Sequence, residues 1–97
     1  IHALARLMTN PETSMAIRLG IGAVLEELHG TGLTEPLIPA LGDLLKSQDK
    51  LLRADAAHFL TLIGGEGVRP YMQSCQNDAD AEIREMAQEW LADNQAA

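Results

Sequence analysis

The stretch from residue 49 to residue 64 reads DKLLRADAAHFLTLIG, and its pattern returns 31 residues later, counted from Arg53 to Arg84. The matched positions are Asp49, Leu52, Arg53 and Ala56 in the first copy and Asp80, Ile83, Arg84 and Ala87 in the second. A weaker copy surrounds Arg18, 35 residues before Arg53. Self-similarity at a period of about 20 to 50 residues is typical of stacked structural repeats, whose units bury their apolar faces on one another. The pattern therefore predicts an array of helical units.

Length and composition limit the kind of core that this chain can build. Its 97 residues suit one small domain. Hydrophobic residues make up 46% of the chain but aromatic residues only 3%, so the core is expected to be aliphatic. Charged side chains, Arg18, Glu26 and Glu27, interrupt the longest apolar stretch, which is shorter than the roughly 18 residues of a membrane span. We therefore expect no membrane partner.

Charge is distributed unevenly along the chain. The formal net charge is −7, and residues 76–97 carry one Lys or Arg against six Asp or Glu, a local balance of −5. Because binding to phosphate backbones depends on clustered Lys and Arg, we expect no nucleic-acid partner. An acidic surface instead favours a protein partner with a basic patch. The single cysteine, Cys75, excludes an internal disulfide and is expected to be a small buried hydrophobe. It fits a reducing compartment, so a cytoplasmic location is expected.

Proline, glycine and capping residues divide the chain into six expected helices in three pairs. The first is expected near Ile1–Met8, the second is expected to end near His29, and the sixth near Ala92. Pro39 is expected to bend or delay the first turn of the third helix. No stretch alternates apolar and polar residues for long enough to predict a strand. The expected units are residues 1–32, 33–66 and 67–97 of a single domain.

The second helix of each pair carries the repeated pattern. Residues one before, three after and seven after the arginine share one helical face, which is expected to be apolar and buried: Ile17, Ile21 and Leu25, then Leu52, Ala56 and Leu60, then Ile83, Ala87 and Leu91. Asp49 and Asp80 are expected to cap their helices and to accept hydrogen bonds from an arginine of the same or the adjacent unit. We therefore assign structural roles to Arg18, Asp49, Arg53, Asp80 and Arg84.

The segment from Leu37 to Leu91 resembles two successive HEAT repeats of the short PBS-lyase kind. The Asp-x-x-Leu/Ile-Arg-x-x-Ala core and the ending Ile63-Gly64 carry this resemblance, whereas residues 1–32 match only loosely and have Ser14 in place of the aspartate. The resemblance implies an all-α superhelix, or solenoid, of about three HEAT-like helical hairpins. It also implies a scaffold that binds other macromolecules. Because the sequence opens on Ile1 and not on Met, we also expect this domain to belong to a longer chain.

Members of this broad family include enzymes, so catalytic motifs need separate consideration. HEAT-like iron hydroxylases place His-Glu pairs on their helices, but His2, His29 and His58 are followed by Ala, Gly and Phe. HEAT-like DNA glycosylases require a basic groove, which this acidic sequence does not predict. No motif in the sequence excludes the bilin lyases of the same broad family. No Gly-x-Ser-x-Gly elbow or phosphate-binding loop is present in the sequence. We expect no catalytic residue, no metal and no cofactor.

Two functions remain open at this point. The first is a non-catalytic protein-interaction or scaffold module. The alternative is an accessory or regulatory domain of an enzyme whose catalytic part lies before Ile1.

A candidate binding surface follows from the resemblance, because the second helices of such solenoids line the concave side. Positions two, five and nine after each arginine would face a partner, or would form an ordinary solvent face. In the first unit they are Gly20, Ala23 and Glu27. Trp90 would either anchor a partner or close the end of the last unit. The candidate partner-binding residues are Asp55, His58, Leu62, Met86, Glu89 and Asp93.

Overall fold

The computed structural model describes residues 2–95, with side chains from residue 4 onward. Within this range the chain forms six α-helices and no strand, which confirms the all-α class. The helices are α1 (His2–Thr9), α2 (Met15–Glu27), α3 (Ile38–Leu44), α4 (Lys50–Ile63), α5 (Arg69–Cys75) and α6 (Ala81–Asp93). Ile1, expected in the first helix, lies outside the described residues. None of the described helices has both the length and the apolar character needed to cross a membrane.

The three longer helices begin at side-chain caps. Ser14 accepts a hydrogen bond from the backbone N–H of Ile17 at 3.3 Å, and Asp49 accepts one from the N–H of Leu51 at 2.9 Å. Asp80 likewise accepts from the N–H of Glu82 at 2.8 Å. Each cap satisfies a donor that the first turn of a helix leaves without an intrahelical partner. The capping role predicted for the two aspartates is therefore present.

Short 3₁₀ turns precede the two shortest helices. The turn Glu35–Leu37 leads into α3 and the turn Glu66–Val68 leads into α5. Pro39 and Pro70 then lie near the starts of these helices, where a missing N–H costs no intrahelical hydrogen bond. Pro39 thus accompanies a delayed start of α3, as predicted. The spacing from Pro39 to Pro70 is again 31 residues, so the repeat extends to the first helix of each of these pairs.

The three longer helices form one layer, and the three shorter helices pack against one side of this layer. Helix α4 contacts both α2 and α6, while α1, α3 and α5 pack against α2, α4 and α6 respectively. Helix α1 also contacts α3. The described chain has a Cα radius of gyration of 12.4 Å and extents of 35 × 31 × 20 Å.

The core lies between the two layers and is aliphatic, as predicted. Leu25, Leu60 and Ile83 are fully buried, and Ala56 and Ala87 let neighbouring helices approach closely. One prediction for this face is wrong, because Ile17 is 45% exposed. Helix α2 is the first helix of its layer, so no described helix covers the side on which Ile17 lies. Leu52 and Leu91, predicted on the same face, are only partly buried.

Candidate protein-binding face

Open grooves run between the three long helices on the side facing away from the core. The first groove, between α2 and α4, has a volume of about 370 Å³ and is lined by three of the predicted residues, Asp55, His58 and Leu62. The second, between α4 and α6, measures about 190 Å³ and is lined by the other three, Met86, Glu89 and Asp93. The structure therefore brings all six candidate residues to two adjacent grooves. We call this surface the grooved face.

The first groove is mainly apolar. Met15 and Leu19 of α2 line one wall and are 68% and 69% exposed, whereas Phe59 of α4 is almost fully buried. At Gly22 a Cβ atom would lie 3.5 Å from Cδ1 of Leu62, in ordinary van der Waals contact, so α2 and α4 lie close together at this point. Exposed large apolar side chains beside a groove favour contact with another apolar surface. Sequence reasoning missed Met15 and Leu19. The signal that could have identified them is an apolar side chain on the side of an amphipathic helix that is expected to be polar.

Asp55 is less available to a partner than its position suggests. Its Oδ2 atom lies 2.8 Å from Nη1 of Arg18, whose side chain is 9% exposed. Arg18 also donates to the carbonyl oxygens of Asn10 at 2.7 Å and Thr13 at 3.3 Å. This arginine therefore neutralises Asp55 and joins α2 to α4. Glu26, which is exposed on the opposite wall, is the unpaired carboxylate of this groove among the described ion pairs.

The second groove is acidic, with an aromatic wall. Glu89 and Asp93 are exposed on α6, and Met86 is half-buried. Trp90 is 8% exposed and lies under the guanidinium of Arg69, which is 5.4 Å from the centre of its ring. Such a stacked cation stabilises an aromatic ring that is otherwise at the edge of the core. Trp90 therefore packs beside Arg69 and lines the groove between α4 and α6, and the two roles considered for it stay predictions.

Arg69 also fixes the end of α6. Its guanidinium forms a two-pronged ion pair with Glu66, at 2.9 and 3.1 Å, and donates to the carbonyl oxygen of Asn94. The hydrogen bond from Arg69 lowers the pKa of Glu66. These contacts hold the 3₁₀ turn before α5 against the C-terminal end of α6. They thereby orient α6, which forms one wall of the second groove.

One arginine lies near the start of each long helix, and together Arg18, Arg53 and Arg84 form a ladder along the chain. Nη1 of Arg53 donates to the carbonyl oxygen of Ser47 at 2.9 Å, and Nη1 of Arg84 donates to that of Asp78 at 2.8 Å. Each acceptor lies six residues before its arginine, in the loop that leads into the helix. Nε of Arg53 also reaches forward to Oδ2 of Asp78, at 3.3 Å. The arginines thus connect each long helix to its own loop and, in two cases, to the next unit.

The predicted partner of the capping aspartates is wrong. Asp80 pairs with Lys50 of the preceding unit, whose Nζ is 2.9 Å from Oδ2, and not with an arginine. Asp49 forms no ion pair among the described residues. The hydrogen bond from Lys50, followed by that from the N–H of Glu82, lowers the pKa of Asp80. The arginines are directed back toward the loops because their side chains extend toward the N-termini of their helices.

The remaining candidate groups are separate from one another. Cys75 is buried, and desolvation together with the charge of Asp78 raises the pKa of its thiol to about 11. His29 forms a hydrogen bond of 3.0 Å between Nδ1 and the carbonyl oxygen of Leu62, whereas His58 is exposed on α4. The side chain of His2 lies outside the described residues. The described part of the chain contains no group of three His, Cys, Asp or Glu side chains arranged to hold a metal ion.

Comparison with known proteins gives no relative from which a function could be transferred. No family model matches the chain, and no match was found among curated proteins or solved structures. Function is therefore inferred from the geometry of the grooved face and from the sequence.

Proposed function

We propose that this chain is a HEAT-like solenoid of three helical hairpins that acts as a non-catalytic protein-interaction module, and that its partner binds the grooved face. The observation that carries the proposal is the convergence of six acidic, apolar and imidazole side chains from α4 and α6 on two adjacent grooves. The successive packing of α2, α4 and α6 and the repeated arginine contacts support the solenoid reading. A cytoplasmic location forms part of the proposal, supported by the single buried thiol.

The chemistry of the grooves defines the partner. An apolar side chain would enter the α2–α4 groove, between Leu19 and Leu62, where burial removes apolar surface from water. Lysine or arginine would lie near Glu89 and Asp93, which have no ion-pair partner among the described residues. Opposite charges accelerate encounter and fix the orientation of a partner more than they raise affinity. The same acidity disfavours a nucleic acid, whose phosphates it would repel.

The experiment is capture of partners on the immobilised chain, followed by measurement of affinity for each captured protein at increasing salt. Binding is expected to weaken as salt rises, because the Debye length falls from about 10 Å at 0.1 M to about 3 Å at 1 M. The double variant Glu89→Lys with Asp93→Lys is expected to bind at least about tenfold more weakly, a loss of roughly 1.4 kcal/mol. Its helix content should be unchanged.

A matched control separates a local effect from one of net charge. Glu12 and Asp43 are exposed, line neither groove and form no ion pair among the described residues. Glu12→Lys with Asp43→Lys changes the net charge by the same amount and should leave affinity nearly unchanged. If the affinity of a partner changed neither with salt nor with the charge reversal on α6, these carboxylates would serve solubility only.

A further inference from the structure

A separate pocket lies where the loop after α2 meets the end of α4. It has a volume of about 360 Å³, and its lining comes from residues 29–35 and 63–65. It shares no lining residue with the two grooves. Every described residue with a positive φ lines this one pocket, and all are glycines: Gly30, Gly32, Gly64 and Gly65, at 82°, 78°, 68° and 81°. We call it the loop pocket.

The loop pocket has backbone donors that the fold leaves available. The N–H groups of Gly30, Gly32, Thr34 and Gly65 form no hydrogen bond with any described residue. Because glycine has no side chain, a ligand can approach the backbone closely at three of these four positions. Clustered backbone N–H groups are a recurrent means of holding an anionic group in proteins. The lining therefore favours a ligand with a negatively charged, hydrogen-bond-accepting group.

Thr34 adds a buried hydroxyl to the same pocket. The residue is 3% exposed, and its side chain forms no hydrogen bond with the described residues. Among those residues, Thr13 alone has an unpartnered side-chain oxygen that is sealed from solvent, so the hydroxyl of Thr34 is open to the pocket. Buried polar groups in proteins are nearly always hydrogen-bonded, so this hydroxyl is expected to bond to the occupant of the pocket.

Two ionisable side chains complete the lining. Nδ1 of His29 lies 3.0 Å from the carbonyl oxygen of Leu62 and must donate to it, because a carbonyl oxygen only accepts. This contact holds the imidazole ring beside Gly64, where a Cβ atom would lie 2.5 Å from the ring. Glu35 is exposed and forms no ion pair among the described residues. The loop pocket thus combines several donors with one carboxylate.

Charge and size select among ligands that carry an oxyanion. A phosphate group carries about −1.5 to −2 charges and would be repelled by Glu35 in a chain of net charge −7. A simple carboxylate would leave Glu35 without a counter-charge. A zwitterion that carries a carboxylate and an ammonium matches the donors and Glu35 together. The volume is near the lower end of the roughly 300–1,000 Å³ of ligand pockets, which suits a ligand of this size.

We propose that the loop pocket binds a free α-amino acid. The carboxylate of the amino acid accepts hydrogen bonds from the loop N–H groups and from the hydroxyl of Thr34, while its ammonium pairs with Glu35. Because the pocket joins the loop after α2 to the end of α4, the bound amino acid ties the first pair of helices to the second. This proposal does not depend on the grooved face.

An NMR titration of the complete, ¹⁵N-labelled chain tests the site, because backbone N–H signals respond to their own hydrogen bonds. The twenty amino acids are added one at a time, and sodium acetate, methylammonium chloride and inorganic phosphate are added separately. At least one amino acid should shift the signals of Gly30, Gly32 and Gly65 saturably, with a Kd on the order of 1 mM or lower. The three simple ions should bind at least about tenfold more weakly.

Two outcomes of this titration would overturn the proposal. The first is the absence of a saturable shift at these glycines with any amino acid. The second is binding of acetate or phosphate as tightly as the best amino acid, which would show that the ammonium contributes nothing. Neither outcome bears on the protein partner proposed for the grooved face, so the two proposals can fail separately.

Two conservative variants assign the contacts. Thr34→Val keeps the shape of a buried side chain but removes its hydroxyl, and Glu35→Gln removes one exposed charge. Each should weaken binding of the amino acid at least about tenfold, but Glu35→Gln should not weaken binding of acetate. Thr61→Val and Glu12→Gln make the same changes outside the loop pocket and should leave the affinity unchanged. Unchanged affinity in Thr34→Val and Glu35→Gln, or equal loss of both ligands in Glu35→Gln, would contradict the proposed contacts.

Discussion

Replacing Arg53 with alanine is expected to lower the free energy of unfolding by about 2–4 kcal/mol. The side chain is only 16% exposed and bonds both to the carbonyl oxygen of Ser47 and to Asp78. Hydrogen bonds to charged groups contribute about 1.5–3 kcal/mol each, and an unpaired buried charge adds a penalty. Asp78 is 10% exposed but keeps a hydrogen bond from the N–H of Asp80, which limits that penalty.

Comparison with two related variants makes this prediction specific. Among the described residues Arg84 bonds only to the carbonyl oxygen of Asp78, so Arg84→Ala is expected to cost about 1–2 kcal/mol. Lys50→Ala removes a partly exposed ion pair that also joins α4 to the loop before α6, and its effect should be much smaller. Urea unfolding followed by circular dichroism gives the three values, and a double-mutant cycle between Arg53 and Asp78 should show a coupling of about 1 kcal/mol.

A small effect would refute the reasoning. If Arg53→Ala changed the free energy of unfolding by less than about 0.3 kcal/mol, its contacts would be equivalent to those of a solvated surface pair. Equal losses for Arg53→Ala and Arg84→Ala would show that the forward contact with Asp78 contributes nothing, and that the two arginines act only on their own loops.

Three further predictions concern a glycine, acid stability and the thiol. Gly64→Ala should destabilise the fold by about 1–3 kcal/mol in urea unfolding, because φ is 68° and the new methyl group would meet His29. The pKa of Asp80 is lowered on folding, so its ionised carboxylate stabilises the fold at pH values above the pKa of the unfolded state. That stabilisation is lost as the pH falls through the lowered pKa of the folded state. Lys50→Met should therefore flatten the loss of stability between about pH 5 and pH 2. Iodoacetamide should label Cys75 only after unfolding, since burial raises its pKa to about 11; rapid labelling of the folded chain would contradict its burial.

Proline, glycine and capping residues were sufficient to predict six helices and the caps Asp49 and Asp80, whereas the cap of α2 is Ser14 and not Asn10, the residue that the sequence favoured. Period, capping residues and proline positions are local signals, and they act through hydrogen bonds within a few residues. The positions of the six candidate residues along α4 and α6 could be predicted for the same reason, since residues three or four apart share a helical face. These local rules apply to every unit alike.

Contacts between units could not be predicted in the same way. The pairing of Arg18 with Asp55 depends on the relative rotation of α2 and α4, which no spacing within either helix specifies. The close approach of Gly42 to the ring of Tyr71 likewise depends on how α3 and α5 pack. Ile17 failed as a core prediction because the pattern treats every unit as if it had a neighbour on both sides.

The ion pairs between helical pairs run in one direction along the described chain. Arg18 reaches forward to Asp55, Arg53 to Asp78 and Lys50 to Asp80, so each tie joins one helical pair to the next. Two of the acidic side chains in the C-terminal part of the chain, Asp78 and Asp80, therefore serve to hold the helices together. Among the carboxylates of α6, Glu89 and Asp93 line a groove, which is why their reversal, and not a change of total charge, is the informative variant for the proposed partner.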